Sequence, residues 1–158
     1  MLLGAHVSVS GGIHTAIDRA ETMGCDAVQL FTQSPRAWRP TNHDPANFER
    51  LKERRDEAGI GAVLCHALYL VNLCSPDETI GLDRLRALHV NDSKAALGSN
   101  LDRHDNMLEG VLGRKLGVFL AHPAFQGLPA VLEVPGQDGH GPDADEVRKL
   151  RELHARWT

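Results

Sequence analysis

The chain has 158 residues, 42% of them hydrophobic, and a formal net charge of −4. That length suits one domain with a sizeable core, and the acidic balance excludes binding to polyanions through overall charge, leaving that task to a local patch. Cys25, Cys65 and Cys74 are odd in number and lack a CxxC spacing, so they read as reduced thiols. With no signal peptide and no long apolar run, the sequence is expected to be cytoplasmic, with no membrane partner.

Residues 2–7 form a short apolar run reaching His6, which predicts a strand. Ser10-Gly11-Gly12 reads as a turn, with Ser10 a candidate N-cap. The helix after it carries Ile13, Ala16, Ile17, Ala20 and Met23 at helical spacing and stops at Gly24. A second strand is expected over 27–31, followed by a long loop over 32–45 that contains Trp38. Residues 46–58 predict a charged helix ended by Gly59, and 61–65 a third strand running into His66. This β-α-β-α-β order with short connections predicts parallel strands covered by helices.

The pattern changes after Leu73. Residues 75–83 are polar and hold Pro76 and Gly81, and the next strand, over 85–90, arrives with no complete βα unit between. A helix is expected over 114–121 and a strand over 129–134 with Glu133 near its end. The last helix, over 143–157, has acidic residues in its first turn and Val147, Leu150, Leu153 and Trp157 on one face.

His66, His89 and Glu133 thus fall at the C-terminal ends of predicted strands, and Asp102 and His104 in a loop leaving one. Asp102 and His104 are two apart, so an extended segment points both to one side. In parallel α/β folds the C-terminal strand ends gather on the face where chemistry is done. Imidazoles and carboxylates without thiolate suit zinc or manganese in a catalytic setting. Taken singly, each of these residues is as readily an ordinary hydrogen-bonded side chain; five together on strand ends are harder to assign to chance.

GAHVSVSGG (4–12), LFTQSPRAW (30–38), HALYLVNL (66–73), HVNDSK (89–94), GSNLDRH (98–104) and LPAVLEV (128–134) resemble, in order, blocks of the endonuclease IV family. The resemblance implies a zinc-dependent apurinic/apyrimidinic endonuclease on a (β/α)₈ barrel, with three metal ions, cutting the phosphodiester 5′ to an abasic site in double-stranded DNA. By position, His66 is similar to a ligand of the first metal, His89 and Glu133 to ligands of the second, and Asp102 and His104 to ligands of the third. His89 and Glu133 then belong to the catalytic set, and His6 stands behind the ligands. Arg36, Tyr69 and Leu70 resemble residues inserted into the bent duplex, a route to recognising deformable DNA. Core packing is the plainer account of Tyr69 and Leu70, insertion is the reading preferred for them, and Leu68 stands where the family usually has proline.

The chain is short for this fold, because a (β/α)₈ barrel takes about 250 residues. The third βα unit runs almost directly into the family's seventh strand near residues 80–82, and the blocks carrying the other ligands are absent. The expectation is therefore one incomplete barrel domain over 1–158, its N-terminal βα units in 1–80 and its C-terminal ones in 81–158. Its five parallel strands would follow the family order 7-8-1-2-3, with fewer metals, zinc or manganese, and impaired cleavage. Open sheet edges predict self-association, and DNA as partner predicts a nucleoid location in a bacterium. Two further readings stay open: a non-catalytic DNA-binding or interaction remnant using Lys94, Arg103 and Arg114, and a related metal-dependent barrel isomerising sugars.

Overall fold

The structure, a computed structural model, describes residues 1–34, 41–66 and 86–158. Strands β1 (Leu2–His6), β2 (Ala27–Leu30), β3 (Ala62–Cys65), β4 (Leu88–Val90) and β7 (Pro129–Leu132) form one sheet in the order β3-β2-β1-β7-β4. Every pairing in it is parallel. In the family's count this is 7-8-1-2-3, read from the other edge, the expected arc of a barrel. A separate two-stranded antiparallel ribbon joins β5 (Asp92–Ser93) to β6 (His104–Asp105). The helices are α1 (Thr15–Thr22), α2 (Pro45–Glu57), α3 (Leu116–Leu120) and α4 (Ala144–Trp157). No helix among the described residues is long and apolar enough to cross a membrane.

Side chains alternate across the sheet as strand geometry requires. Leu3, Ala5, Val28, Leu30, Leu88, Val90, Ala130 and Leu132 are buried in one core with Ile17 of α1, Leu120 of α3 and Leu150 of α4. The opposite face carries His6 and Gln29, which are register partners, and His89, which pairs with Val131. At its strand ends stand the polar side chains. A methyl group on Gly4 would overlap the Ala27 carbonyl oxygen, so β1 and β2 approach this closely only because position 4 has no side chain. Gly4→Ala is expected to cost about 1–3 kcal/mol or more, read as a lower urea midpoint with an unchanged slope.

Several element ends differ from the sequence expectation, each for a local reason. Ser10 does not cap α1; His14 holds that position without a side-chain cap bond. Gly11 and Gly12, at φ +90° and +121°, carry the chain further before the helix begins. The Ser10 carbonyl instead accepts from Thr15 Oγ1 at 2.9 Å and Arg19 at 2.8 Å. Helix α2 starts at Pro45, whose missing N–H costs nothing in a first turn, and Asp44 accepts from Ala46 N at 2.9 Å. The helix expected over 114–121 divides into a 3-10 turn, Gly113–Lys115, and α3. Asp143 caps α4, accepting from Glu146 N at 3.0 Å and Gln137 N at 3.1 Å. Asp143→Ala is expected to lower stability by about 1 kcal/mol, measurable as a shifted thermal midpoint.

The largest difference lies after β4, where the sequence places only a loop carrying Asp102 and His104. Asp92, fully buried, accepts from Ser93 N at 2.8 Å, Leu112 N at 2.9 Å and Gly113 N at 2.9 Å. One carboxylate thus satisfies three main-chain donors and folds the 92–113 excursion back on itself. Glu146, also fully buried, accepts from Met107 N at 2.6 Å and pairs with Lys149 at 2.5 Å, tying that excursion to α4.

Candidate metal centre

His66 follows β3 directly, its backbone N–H donating to the Leu30 carbonyl at 2.9 Å. His89 is the middle residue of β4, and Glu133 follows β7, its N–H donating to the Val90 carbonyl at 3.1 Å. One donor atom from each of His66, His89 and Glu133 lies within 4.8 Å of the other two, the one such group among the described residues. His89 Nδ1 stands 2.9 Å from Glu133 Oε2. That hydrogen bond pulls the Glu133 carboxyl down to about 2, against the opposing effect of its partial burial. Glu133 is therefore ionised at neutral pH.

A low pKa in the folded state is also a statement about stability. The ionised Glu133 contributes fully above its ordinary value of 4.5, and the contribution fades as pH falls towards 2. Glu133→Gln is expected to flatten the acid limb of the unfolding curve in that window, read by denaturant titration between pH 5 and about pH 2.

Aromatic contacts set the trio's posture. The rings of His66 and His89 are 5.3 Å apart, and Phe31 lies 4.6 Å from His66. His6 meets Phe31 edge-on at 4.7 Å and His66 at 5.6 Å. Its Nδ1 is 3.1 Å from Gln29 Oε1, an acceptor, so Nδ1 carries the proton. Burial lowers the His6 pKa, against the opposing effect of its hydrogen bond to Gln29. Gln29 and Phe31, which support this arrangement, have no chemical signature in the sequence; only their places on and just after β2 mark them.

His104 Nδ1 donates to the Glu133 carbonyl at 2.7 Å, and its Nε2 lies 3.1 Å from Asp102 Oδ1. The Asp102 side chain is 90% exposed. All five residues line one open cavity of about 560 Å³, together with Asn91 and Arg103. Arg36, Tyr69 and Leu70 lie outside the described residues.

The donor chemistry of His66, His89 and Glu133 fits a divalent cation. Zinc held tetrahedrally at about 2.1 Å places its ligand atoms roughly 3.4 Å apart. The trio's donor atoms, at most 4.8 Å apart, reach that spacing with side-chain shifts of about an ångström.

No protein-family model matches the chain. The crystal structure of endonuclease IV from Thermus thermophilus superimposes with a TM-score of 0.78 over 99% of this chain and 98% of that one, at 20% identity. A "Probable endonuclease 4" from a Geobacter strain is 42% identical over 74 residues, which covers 47% of this chain and only 26% of the relative. That of Geobacter sulfurreducens is 42% identical over an alignment of 285 residues, covering 99% of this chain and 95% of the relative. The chain belongs to the endonuclease IV family. Because an endonuclease 4 alignment of 285 positions meets only 158 residues here, at least 127 positions have no counterpart. The alignment reaches nearly the full span of both chains, so what this endonuclease IV relative lacks is internal.

Proposed function

We propose that this member of the endonuclease IV family hydrolyses the phosphodiester 5′ to abasic sites in double-stranded DNA, using zinc in the His66/His89/Glu133 cavity, and more slowly than its full-length relatives. The observation that carries the reading is the convergence of two imidazoles and an ionised carboxylate from three strand ends, in a chain that belongs to a family of endonucleases. A divalent cation bound there supplies Lewis acidity toward a phosphoryl oxygen and acidifies a water.

The chain's own residues would do the rest. Glu133 would hold the cation through one oxygen while His89 steadies the other. Arg103 and Asn91 line the same cavity and offer N–H donors to a phosphate. Asp102 and His104 would assist at the cavity's outer side, and His6 would keep the ligand rings in place from behind. Arg36, Tyr69 and Leu70 would enter the distorted duplex. Slower turnover follows from the missing internal segment, which carries the remaining ligands in the family pattern. Strands β3 and β4, paired on one side only among the described residues, would also support self-association; a monomer by light scattering at micromolar concentration would count against that part.

The test is a duplex with one abasic site, incubated with zinc or manganese and, separately, with a chelator. The expected result is incision on the 5′ side only, abolished by chelation, at about 1% or less of a full-length relative's rate. Binding of the abasic duplex without incision would replace this reading with that of a DNA-binding remnant. Turnover of an aldose or ketose would replace it with that of a sugar isomerase.

A further inference from the structure

We infer that a single divalent cation, held by His66, His89 and Glu133, fastens the two edges of this sheet to each other. Strands β3 and β4 stand at opposite ends of the order β3-β2-β1-β7-β4. In a closed barrel every edge is tied by backbone hydrogen bonds. Here no strand pairing among the described residues joins β3 to β4. Side chains from the C-terminal parts of these strands nevertheless meet, the His66 and His89 rings lying 5.3 Å apart. His66 brings a donor from the β3 edge, His89 one from the β4 edge, and Glu133 one from the end of β7 beside β4. A cation on all three links the two edges through side chains where main-chain bonding does not.

The same geometry sets the number at one. Catalytic zinc takes three protein ligands and structural zinc four. The neighbouring Asp102–His104 pair offers two, one of them 90% exposed, so it does not hold a second cation by itself. A cation that binds the folded chain and not the unfolded one raises stability in proportion to the logarithm of its concentration over Kd. The inference rests on the reading above only in taking this cavity as a cation site; it does not require DNA cleavage.

The experiment titrates chelator-treated full chain with Co²⁺ and follows visible absorption and thermal unfolding together. One equivalent is expected to bind, and a hundredfold excess over Kd to raise Tm by roughly 5–10 °C. His66→Ala is expected to bind at least about tenfold more weakly and lose most of the Tm gain, whereas Glu152→Ala, an exposed change on α4 outside the cavity, keeps both. If His66→Ala does not fold, the wild-type chain with and without chelator reads the same shift. Two or more equivalents per wild-type chain, no binding, a bound ion that leaves Tm unchanged, or a full Tm gain in His66→Ala would overturn the inference. A raised Tm with uncut abasic duplex would overturn the nuclease reading alone, and incision with an unchanged Tm would overturn the fastening alone.

Discussion

Asp92→Ala is expected to lower the free energy of unfolding by roughly 3–5 kcal/mol, the largest stability effect of any polar substitution at the sheet's C-terminal end. The residue is fully buried and accepts from three backbone N–H groups. Alanine leaves all three donors without their acceptor in a place water reaches poorly, at about 1–3 kcal/mol each before relaxation. Relaxation is restricted, because a methyl group on the facing Gly110 would sit only 2.5 Å from Asp92 Oδ1, a sign of how closely the backbone wraps the carboxylate. Asp92→Asn retains one acceptor oxygen and is expected to lose about half as much. Urea denaturation of the three proteins reads the series. Equal losses in the alanine and asparagine variants would show that charge, and not acceptor count, holds the excursion. The effect also reaches the metal centre, because Asp92 pairs in register with Asp105, next to His104, and so helps set where that imidazole sits.

Asp92 illustrates what the sequence did and did not disclose. Within HVNDSK it looks like one more polar loop residue between Asn91 and Ser93, and nothing in its spacing marks burial. Strands of two residues, such as β5 and β6, are too short to show a period, so the ribbon they make has no sequence signal. Glu146 is a similar case. In the first turn of α4 it reads as an acidic residue placed for the helix dipole, yet it is fully buried and bonded to Met107 N.

The sheet itself was more legible. Apolar runs reaching His6 and His66 mark strand ends, the run through His89 stops one residue later at Val90, and parallel connectivity then dictates that those ends share a face. The strand order followed from removing consecutive units of a cyclic fold. Curvature did not follow. Strand order places β3 and β4 four positions apart, and only the bent sheet brings His66 to His89. A ligand set drawn from both edges is thus a property of the folded arc, not of any motif.

Glu133→Gln is expected to lower kcat/KM for abasic-site incision by at least about 100-fold while changing the affinity for uncleaved duplex little. The two side chains have the same shape, so packing around β7 is retained, and the glutamine amide oxygen still accepts from His89 Nδ1. What is lost is the negative charge. The carboxyl is held down to about 2 in the native chain and is ionised throughout the range where a nuclease would work. Two imidazoles and an amide offer a divalent cation no carboxylate charge, and oxygen and nitrogen ligands without it bind far less well. Arg103 and Asn91, which would meet the phosphate, are untouched. The loss should therefore fall on turnover and on cation affinity, and a large excess of zinc or manganese should restore part of the rate. Raised KM with unchanged kcat at saturating metal would assign Glu133 to DNA binding instead. Unchanged incision would remove the carboxylate from the reaction altogether and leave its low pKa as a structural consequence of His89 alone.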